Sequence, residues 1–295
     1  MRAFITGGNG FVGRHLRAHL EECGDEVTVF DLPGDITDEA SLREALQRAE
    51  PDAIYHLAAL AHVGSSWKSP QPVLHVNVVG TGVLLAAAHD VAPNARVLFV
   101  SSAEVYGVVT SDDLPVTELT TPRPASPYAA SKLAGEVLVG QAVRSMGQDI
   151  VIARPFNHVG PGQAPTFFVP AMAARIIDAE TNGLATVRVG NLSSRRDFTD
   201  VRDVVRAYRL LIEHGLRGEV YNVASGRDVA MAEAAEEIRN VCGSTVTFEV
   251  DPELVRPVDI PVLRGSAEKL NAATGWSPRY AWSQTLADIV AGARA

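Results

Sequence analysis

The segment Thr6-Gly7-Gly8-Asn9-Gly10-Phe11-Val12-Gly13 decides how this chain folds. It follows a short apolar run and opens a stretch whose apolar residues recur at helical spacing. Its glycines form the pattern G-x-x-G-x-x-G, which allows a tight turn, a close approach of the backbone to a pyrophosphate, and close packing of the helix on the strand. The helix N-terminus adds N–H groups that favour anions. This context favours a dinucleotide site over an ordinary glycine-rich turn, and we predict that it is formed by Gly7, Gly10, Phe11, Val12 and Gly13.

Strand-like and helical segments alternate along residues 1–155. The predicted strands are residues 3–6, 26–30, 53–57, 96–100 and 150–154, and the predicted helices include residues 39–49, 72–89 and 127–146. Such alternation is typical of a parallel sheet covered by helices on both faces. Right-handed crossovers then favour a doubly wound, Rossmann-like α/β fold. We predict that residues 1–155 form the dinucleotide-binding domain.

The alternation is less regular after residue 155. Residues 155–170 are rich in proline and glycine and predict a loop. Helices are predicted at residues 169–180, 201–213, 230–242 and 266–274, and strands at 186–189, 219–223 and 246–250. We predict that residues 156–295 form a smaller α/β lobe that mainly binds substrate, with the chain crossing back to the first sheet.

Composition excludes several classes of protein. The hydrophobic fraction of 46% permits a sizeable core, and the net charge of −9 argues against non-specific nucleic-acid binding. No apolar run reaches the ~18 residues of a membrane span. Because the chain begins with a strand-like segment, we expect no signal peptide. Cys23 and Cys242 suit a reducing compartment, so we expect a cytoplasmic protein. His56 and His62 have no partner at metal-ligand spacing, so we predict no metal site.

An acidic residue, Asp31, ends the second predicted strand about 20 residues after the glycine segment. A carboxylate there can accept hydrogen bonds from an adenosine ribose and would repel a 2′-phosphate. We therefore expect NAD(H) rather than NADP(H), with Asp35 and Ile36 facing the adenine. The alternative is that Asp31 only stabilises the turn before Pro33-Gly34.

Tyr128 and Lys132 lie four residues apart on a predicted helix, and therefore on one face of it. An ammonium one turn away is expected to lower the pKa of the phenol, which makes proton transfer easier at neutral pH. Ser102 follows the strand 96–100, at the edge where such sheets bind ligands. Together these groups suit hydride transfer at a carbon that bears oxygen. The Tyr/Lys spacing alone is common on surface helices, but the chain has only three lysines, Lys68, Lys132 and Lys269.

Five motifs in order resemble the extended short-chain dehydrogenase/reductase family. Besides the glycine segment they are His56-Leu57-Ala58-Ala59, Asn77-Val78-Val79-Gly80-Thr81, Ser101-Ser102-Ala103-Glu104-Val105-Tyr106-Gly107 and Pro127-Tyr128-Ala129-Ala130-Ser131-Lys132. The resemblance implies that Leu57, Ala58 and Ala59 border the cofactor and that Asn77 fixes the active-site backbone or the cofactor. We also predict a cofactor contact at Pro155. The resemblance further implies a homodimer in which helices 72–89 and 127–146 form a four-helix bundle, although their alanines could equally pack on the sheet.

The loop Arg154-Pro155-Phe156-Asn157-His158-Val159-Gly160-Pro161-Gly162-Gln163 resembles that of GDP-6-deoxy-4-keto-D-mannose reductases. The segments around Arg196 and Arg256 continue the similarity. Arginine forks bind phosphates, so Asn157, Arg196 and Arg256 are the predicted contacts to a nucleoside diphosphate sugar. Each arginine has an alternative as an ion pair, Arg196 with Asp197 or Asp200 and Arg256 with Asp259. His158 is expected to pack against Phe156 rather than to donate a proton.

The pair Ala103-Glu104 bears on the type of reaction. Related 4,6-dehydratases place an acid and a base after the Ser/Thr, and Ala103 removes one of them. Glu104 could still act as a base or only hydrogen-bond a substrate hydroxyl. We therefore expect a 4-keto reductase first, a 4,6-dehydratase or 4-epimerase second, and a non-enzymatic dinucleotide sensor last.

Overall fold

The computed structural model describes residues 1–254 and 260–294. Its strands are β1 (Arg2–Thr6), β2 (Glu26–Phe30), β3 (Ala53–His56), β4 (Arg96–Val100), β5 (Ile150–Pro155), β6 (Asn157–Val159), β7 (Thr186–Val189), β8 (Arg195–Asp200), β9 (Val220–Val223), β10 (Asp228–Ala230), β11 (Thr247–Val250) and β12 (Val262–Leu263). Its α-helices are α1 (Phe11–Glu22), α2 (Glu39–Ala49), α3 (Val63–Lys68), α4 (Pro70–Leu74), α5 (Gly80–Val91), α6 (Pro127–Gln141), α7 (Phe168–Thr181), α8 (Val201–His214), α9 (Met231–Cys242), α10 (Glu268–Thr274) and α11 (Trp282–Arg294).

Six parallel strands form the main sheet, in the order β2-β1-β3-β4-β5-β9. From β1 the chain goes to β2 on one side and then crosses from β2 to β3 on the other side of β1, so the order reverses at this point of the sheet. Ligands bind at such switch points, beyond the carboxyl ends of the strands. The prediction of a doubly wound α/β fold is confirmed, and β9 brings the chain back to the first sheet.

Helices cover both faces of this sheet. Leu16 and Leu20 of α1 pack with apolar residues of α8 against one face. Leu42 of α2, Leu84 of α5 and Val139 of α6 pack against the other face. Strands buried from both sides explain why these segments are almost continuously apolar in sequence.

A smaller lobe follows β5 and caps the carboxyl edge of the main sheet. Strands β6, β10 and β12 each pair with β8, and β7 pairs with β11. The apolar faces of α7, α9 and α11 pack together around Met172, Ile238 and Ile289. The sequence did not predict β8 as a strand, because its charged residues hide the usual apolar alternation.

The helical stretch Pro70–Val91 comprises α4, a π-helical segment His75–Val79 and α5. By length and hydropathy alone it is long and apolar enough to cross a membrane, although polar residues interrupt its apolar run. In the structure 44% of its most apolar window is buried inside the protein. It contacts α2 and α6, as a core helix does.

Candidate active site

A cavity of about 840 Å³ lies between the main sheet and the smaller lobe. Such a volume is near the upper end for cofactor and small-molecule sites. Most of the predicted site residues line it: Gly7, Gly10, Phe11, Val12, Gly13, Asp31, Asp35, Ile36, Leu57, Ala58, Ala59, Ser102, Glu104, Tyr128, Lys132, Pro155, Asn157 and Arg196. Arg256 and its alternative partner Asp259 lie outside the described residues.

The glycine segment has the geometry that a pyrophosphate requires. Gly7 has a φ of +74°, and a Cβ there would lie 2.8 Å from the backbone nitrogen of Ala58. A Cβ on Gly13 would lie 2.4 Å from the carbonyl oxygen of Gly7, so only glycine lets α1 pack this close to the turn. Gly10 is the N-cap of α1, and no side chain caps the helix there. The first N–H groups of α1 therefore suit the phosphates of a dinucleotide.

Asp31 links the end of β2 to the glycine segment. Its Oδ2 accepts the backbone N–H of Asn9 at 2.7 Å, and its Oδ1 accepts that of Leu32 at 2.7 Å. Asp31 thus stabilises the turn, as the alternative held, and it also lines the cavity. Asp35 accepts two hydrogen bonds from Thr37, which lower the pKa of its carboxyl group.

Ser102, Tyr128 and Lys132 converge on the cavity from two directions. Ser102 follows β4 and caps a 3₁₀ turn by accepting the backbone N–H of Glu104. Tyr128 and Lys132 lie on one face of α6, which begins at Pro127 after the N-cap Ser126. All three side chains are largely buried, with exposed fractions of 5–8%. The Ser102 hydroxyl acts on the Tyr128 phenol and lowers its pKa.

Burial governs the protonation of both groups on α6. It raises the pKa of Tyr128 to about 12, and the Ser102 hydroxyl offsets this only in part. The expected lowering of this pKa by Lys132 is therefore wrong for this structure, because burial has the largest effect on it. The Lys132 ammonium donates instead to the Val100 carbonyl at 2.8 Å. Burial also lowers the pKa of Lys132 to about 8, although the Glu136 carboxylate opposes the shift. At neutral pH the phenol is protonated and the lysine is mostly charged.

Asn77 does not line the cavity but fixes the backbone around it. Its Oδ1 accepts the N–H of Leu60 at 2.8 Å, and its Nδ2 donates to the Leu60 carbonyl and to Ser131 Oγ. Ser131 in turn donates to the Tyr128 carbonyl at 2.7 Å. Of the two predicted roles for Asn77, this geometry favours fixing the active-site backbone.

The far half of the cavity belongs to the smaller lobe. Arg196, which is 8% exposed, donates from Nη1 to the carbonyls of Arg195 and Ile260. The two carboxylates considered as its ion partners bind elsewhere: Asp197 accepts backbone N–H groups, and Asp200 pairs with Arg202.

The ring of His158 stacks on Phe11 of the glycine segment, a second partner besides the expected Phe156. His158 Nδ1 still lies 3.1 Å from the Phe156 carbonyl oxygen. This stack joins the two halves of the cavity. Sequence reasoning missed further lining residues of this lobe, Gln163, Phe167, Phe168, Met172, Arg175 and Asn191. Asn191 could have been found, because it follows the predicted strand at residues 186–189.

Comparisons with known proteins agree with this geometry. A profile of the GDP-mannose 4,6-dehydratase family matches residues 30–289. The chain is 38% identical over 293 residues to a GDP-6-deoxy-D-mannose reductase from Pseudomonas aeruginosa, which covers 98% of this chain and 96% of the relative.

Two solved structures superpose on almost the whole chain. RMD from Pseudomonas aeruginosa complexed with NADPH has a TM-score of 0.90 at 36% identity, covering 99% of this chain and 98% of that one. UDP-glucose 4-epimerase from Thermus thermophilus, in complex with NAD, has a TM-score of 0.90 at 29% identity, covering 100% and 99%. The chain therefore belongs to the GDP-mannose 4,6-dehydratase family of extended short-chain dehydrogenases/reductases, which confirms the resemblance that its motifs indicated.

Proposed function

We propose that this protein is a nucleotide-sugar 4-keto reductase that acts on a GDP-4-keto-6-deoxy-mannose-like substrate. The observation that carries the proposal is the convergence of Ser102, Tyr128 and Lys132 on one cavity with the glycine segment. The similarity to a GDP-6-deoxy-D-mannose reductase over 98% of the chain supports this choice among the reactions of the family.

Each active-site side chain has a defined task in this reaction. When bound, a reduced nicotinamide supplies the hydride for C4 of the sugar. The protonated phenol of Tyr128 donates the proton that the developing alkoxide needs, and Ser102 holds that oxygen by a hydrogen bond. Lys132 places a positive charge beside the reacting groups and can bind the nicotinamide ribose. Tyr128 is protonated at neutral pH, which is the form that a proton donor needs.

Residues 1–155 are proposed to hold the cofactor and the smaller lobe to hold the nucleoside diphosphate sugar. The pyrophosphate of the cofactor fits the N-terminus of α1, and Leu57, Ala58, Ala59 and Pro155 border the same cavity. Asn157 and Arg196 are proposed to bind the sugar nucleotide from the other side, together with Arg256.

We propose that NADH is preferred over NADPH. The Asp31 carboxylate lines the cavity at the end of β2, where it would repel a 2′-phosphate. The structure of RMD contains NADPH, so the two proteins would differ here. Comparing kcat/KM for the two reduced cofactors tests the proposal, and a clear preference for NADPH would refute it. Asp31→Ala should lower the ratio of kcat/KM with NADH to kcat/KM with NADPH.

A 4,6-dehydratase or 4-epimerase is the second candidate. Glu104 lines the cavity, and its charge acts on Tyr128, so a carboxylate is near the reacting groups. Such enzymes recycle tightly bound NAD⁺. Oxidised cofactor retained through purification, with product formed in the absence of added NAD(P)H, would favour this candidate over the reductase.

We also propose a cytoplasmic homodimer. The two cysteines are free thiols, Cys23 exposed and Cys242 buried, which suits a reducing compartment. Leu74, Val79 and Val137 expose large apolar side chains on the helical stretch Pro70–Val91 and on α6. A four-helix bundle between two copies would cover these side chains. Sedimentation that detects only monomer would refute the dimer.

The decisive experiment incubates the protein with NADH or NADPH and a panel of 4-keto nucleotide sugars that differ in base. We expect loss of reduced-cofactor absorbance with the GDP-linked substrate. No loss with any member of the panel would overturn the proposed function.

A further inference from the structure

Glu136 and Arg154 form a buried ion pair directly behind the active site. The guanidinium binds both carboxylate oxygens, Nε to Oε1 at 2.8 Å and Nη2 to Oε2 at 2.6 Å. The exposed fractions of the two residues are 9% and 5%. A buried pair costs desolvation and is weak evidence for stability, so its presence here calls for another explanation.

The residues of this pair adjoin the active-site residues in the chain. Glu136 lies one helical turn after Lys132 in α6, and Arg154 directly precedes Pro155 in β5. Ser101, the neighbour of Ser102, donates its hydroxyl to Glu136 Oε1 at 2.5 Å. The carboxylate of Glu136 is thus held by groups from β5 and from the end of β4.

A second layer of hydrogen bonds fixes Arg154. Its Nη1 donates to the hydroxyl of Tyr106 at 2.9 Å, and that hydroxyl donates to Asn222 Oδ1 at 2.7 Å. Tyr106 ends the 3₁₀ turn that carries Glu104, and Asn222 belongs to β9. Glu136 therefore has little freedom to move relative to α6, β5 and this turn.

Few other charges act on Lys132 within the described residues. His56 of β3 faces it, but burial lowers the pKa of this imidazole to about 3, so it is neutral. From β4 it meets the Phe99 ring, 5.6 Å away, and the Val100 carbonyl. Two titratable neighbours lie on the helix of Lys132. Tyr128, on which Glu104 acts, is neutral below about pH 12. Glu136 carries the carboxylate that raises the pKa of Lys132.

We propose that Glu136, held in place by Arg154 and Ser101, is a positioning residue that keeps Lys132 in its ammonium form at the active site. This inference rests on the proposed function for the role of Lys132, but its test does not require turnover. Burial disfavours the charged form of Lys132, and a fixed carboxylate one turn away favours it again in part. Arg154 keeps the Glu136 carboxylate oriented for this purpose.

The small number of lysines permits a direct test. Lysine labelled with ¹³C at Cε gives three signals, from Lys68, Lys132 and Lys269. Lys68→Arg and Lys269→Arg assign two signals and leave the third to Lys132. A pH titration of the whole protein by NMR then reads the midpoint of each lysine separately.

Glu136→Gln should lower the Lys132 midpoint by about one pH unit and leave Lys68 and Lys269 unchanged. Glu136→Asp keeps the charge and should restore most of the shift. Glu219→Gln is the matched control, because it removes the carboxylate that pairs with Lys269 at 2.6 Å and should move only the Lys269 midpoint. An unchanged Lys132 midpoint in folded Glu136→Gln overturns the inference.

A second variant keeps the test decisive if Glu136→Gln does not fold. Glu136→Gln combined with Arg154→Met removes both buried charges, a change that proteins often tolerate. The Lys132 midpoint should again fall, by less than in the single variant, and no fall would overturn the inference. If the wild type is inactive on every 4-keto nucleotide sugar, the proposed function fails. The Lys132 midpoints can still be measured in that case, so the two failures are distinguishable.

Discussion

The ammonium of Lys132 donates a hydrogen bond to the backbone carbonyl of Val100, with Nζ and O 2.8 Å apart. The protein itself thus fixes this charge at the carboxyl end of β4, one turn from Tyr128. Lys132 belongs to α6 and is hydrogen-bonded to β4. It therefore fixes the position of the helix relative to the sheet, that is, their register, at the reacting groups. The site depends on this register as well as on the identity of the residues.

Tyr128→Phe should lower kcat by about 10²–10⁴-fold, because it removes the proton donor while the ring still fills its place. Binding of the reduced cofactor, measured by fluorescence titration, should change little. Tyr280→Phe makes the same chemical change at a tyrosine that is 42% exposed and lies outside the cavity, and it should retain wild-type activity. Near-normal turnover in Tyr128→Phe would contradict the assignment.

Turnover should fall as the pH rises above about 8. The pKa of Lys132 is about 8, so the ammonium is present below this pH and lost above it. Tyr128, with a pKa of about 12, stays protonated throughout and adds no step in this range. The measurement is kcat/KM for the sugar nucleotide from pH 6 to 10 at saturating cofactor, and a rate that stays constant up to pH 10 would refute the prediction.

The sequence predicts the main sheet well because its signals are local. Buried parallel strands are apolar runs, and the glycines of residues 7–13 are required by contacts within one strand-turn-helix unit. Tyr128 and Lys132 share a helix face by spacing alone. Their protonation could not be predicted this way, since it depends on burial beneath elements distant in the chain.

The smaller lobe was harder to predict because its strands carry charge. In β8 both Arg196 and Asp197 are buried, at exposed fractions of 8% and 0%, and tertiary hydrogen bonds satisfy them. No local pattern reveals such partners. Helix α11 was also missed, although Leu286, Ile289 and Val290 have helical spacing and are buried. There the signal was present in the sequence.

His56 should make the protein sensitive to acid. Its ring lies between Thr6 Oγ1 at 2.8 Å and Thr81 Oγ1 at 3.0 Å, and burial lowers its pKa to about 3. In the unfolded chain the pKa of a histidine is about 6.5. Between pH 3 and pH 6.5 the unfolded chain therefore binds a proton on His56 that the folded protein does not bind. The free energy of unfolding should therefore fall by up to about 1.4 kcal/mol per pH unit from this group as the pH drops from 6 toward 4.

Urea denaturation across that pH range checks the His56 prediction. His56→Gln retains hydrogen-bonding groups but does not titrate, so the dependence of its stability on pH should be shallower than in the wild type. His89→Gln, at an exposed position near the end of α5, is the control and should keep the wild-type slope. Equal slopes in His56→Gln and the wild type would rule out His56 as the source.

Asp197 joins three segments of the smaller lobe through backbone donors. Its Oδ1 accepts the N–H and the hydroxyl of Ser225 at 2.8 and 2.6 Å, and its Oδ2 accepts the N–H groups of Gly226 and Gly265 at 3.0 and 3.2 Å. In Asp197→Asn the amide NH₂ must face N–H donors in either orientation, which leaves them without an acceptor.

We expect Asp197→Asn to lose about 2–3 kcal/mol in the free energy of unfolding, against about 1 kcal/mol for Ser225→Ala, which removes one hydroxyl donor. Urea denaturation of the two variants measures the difference. Equal losses would show that the two N–H groups on Oδ2 contribute nothing, and the role of Asp197 would then reduce to its bond with Ser225.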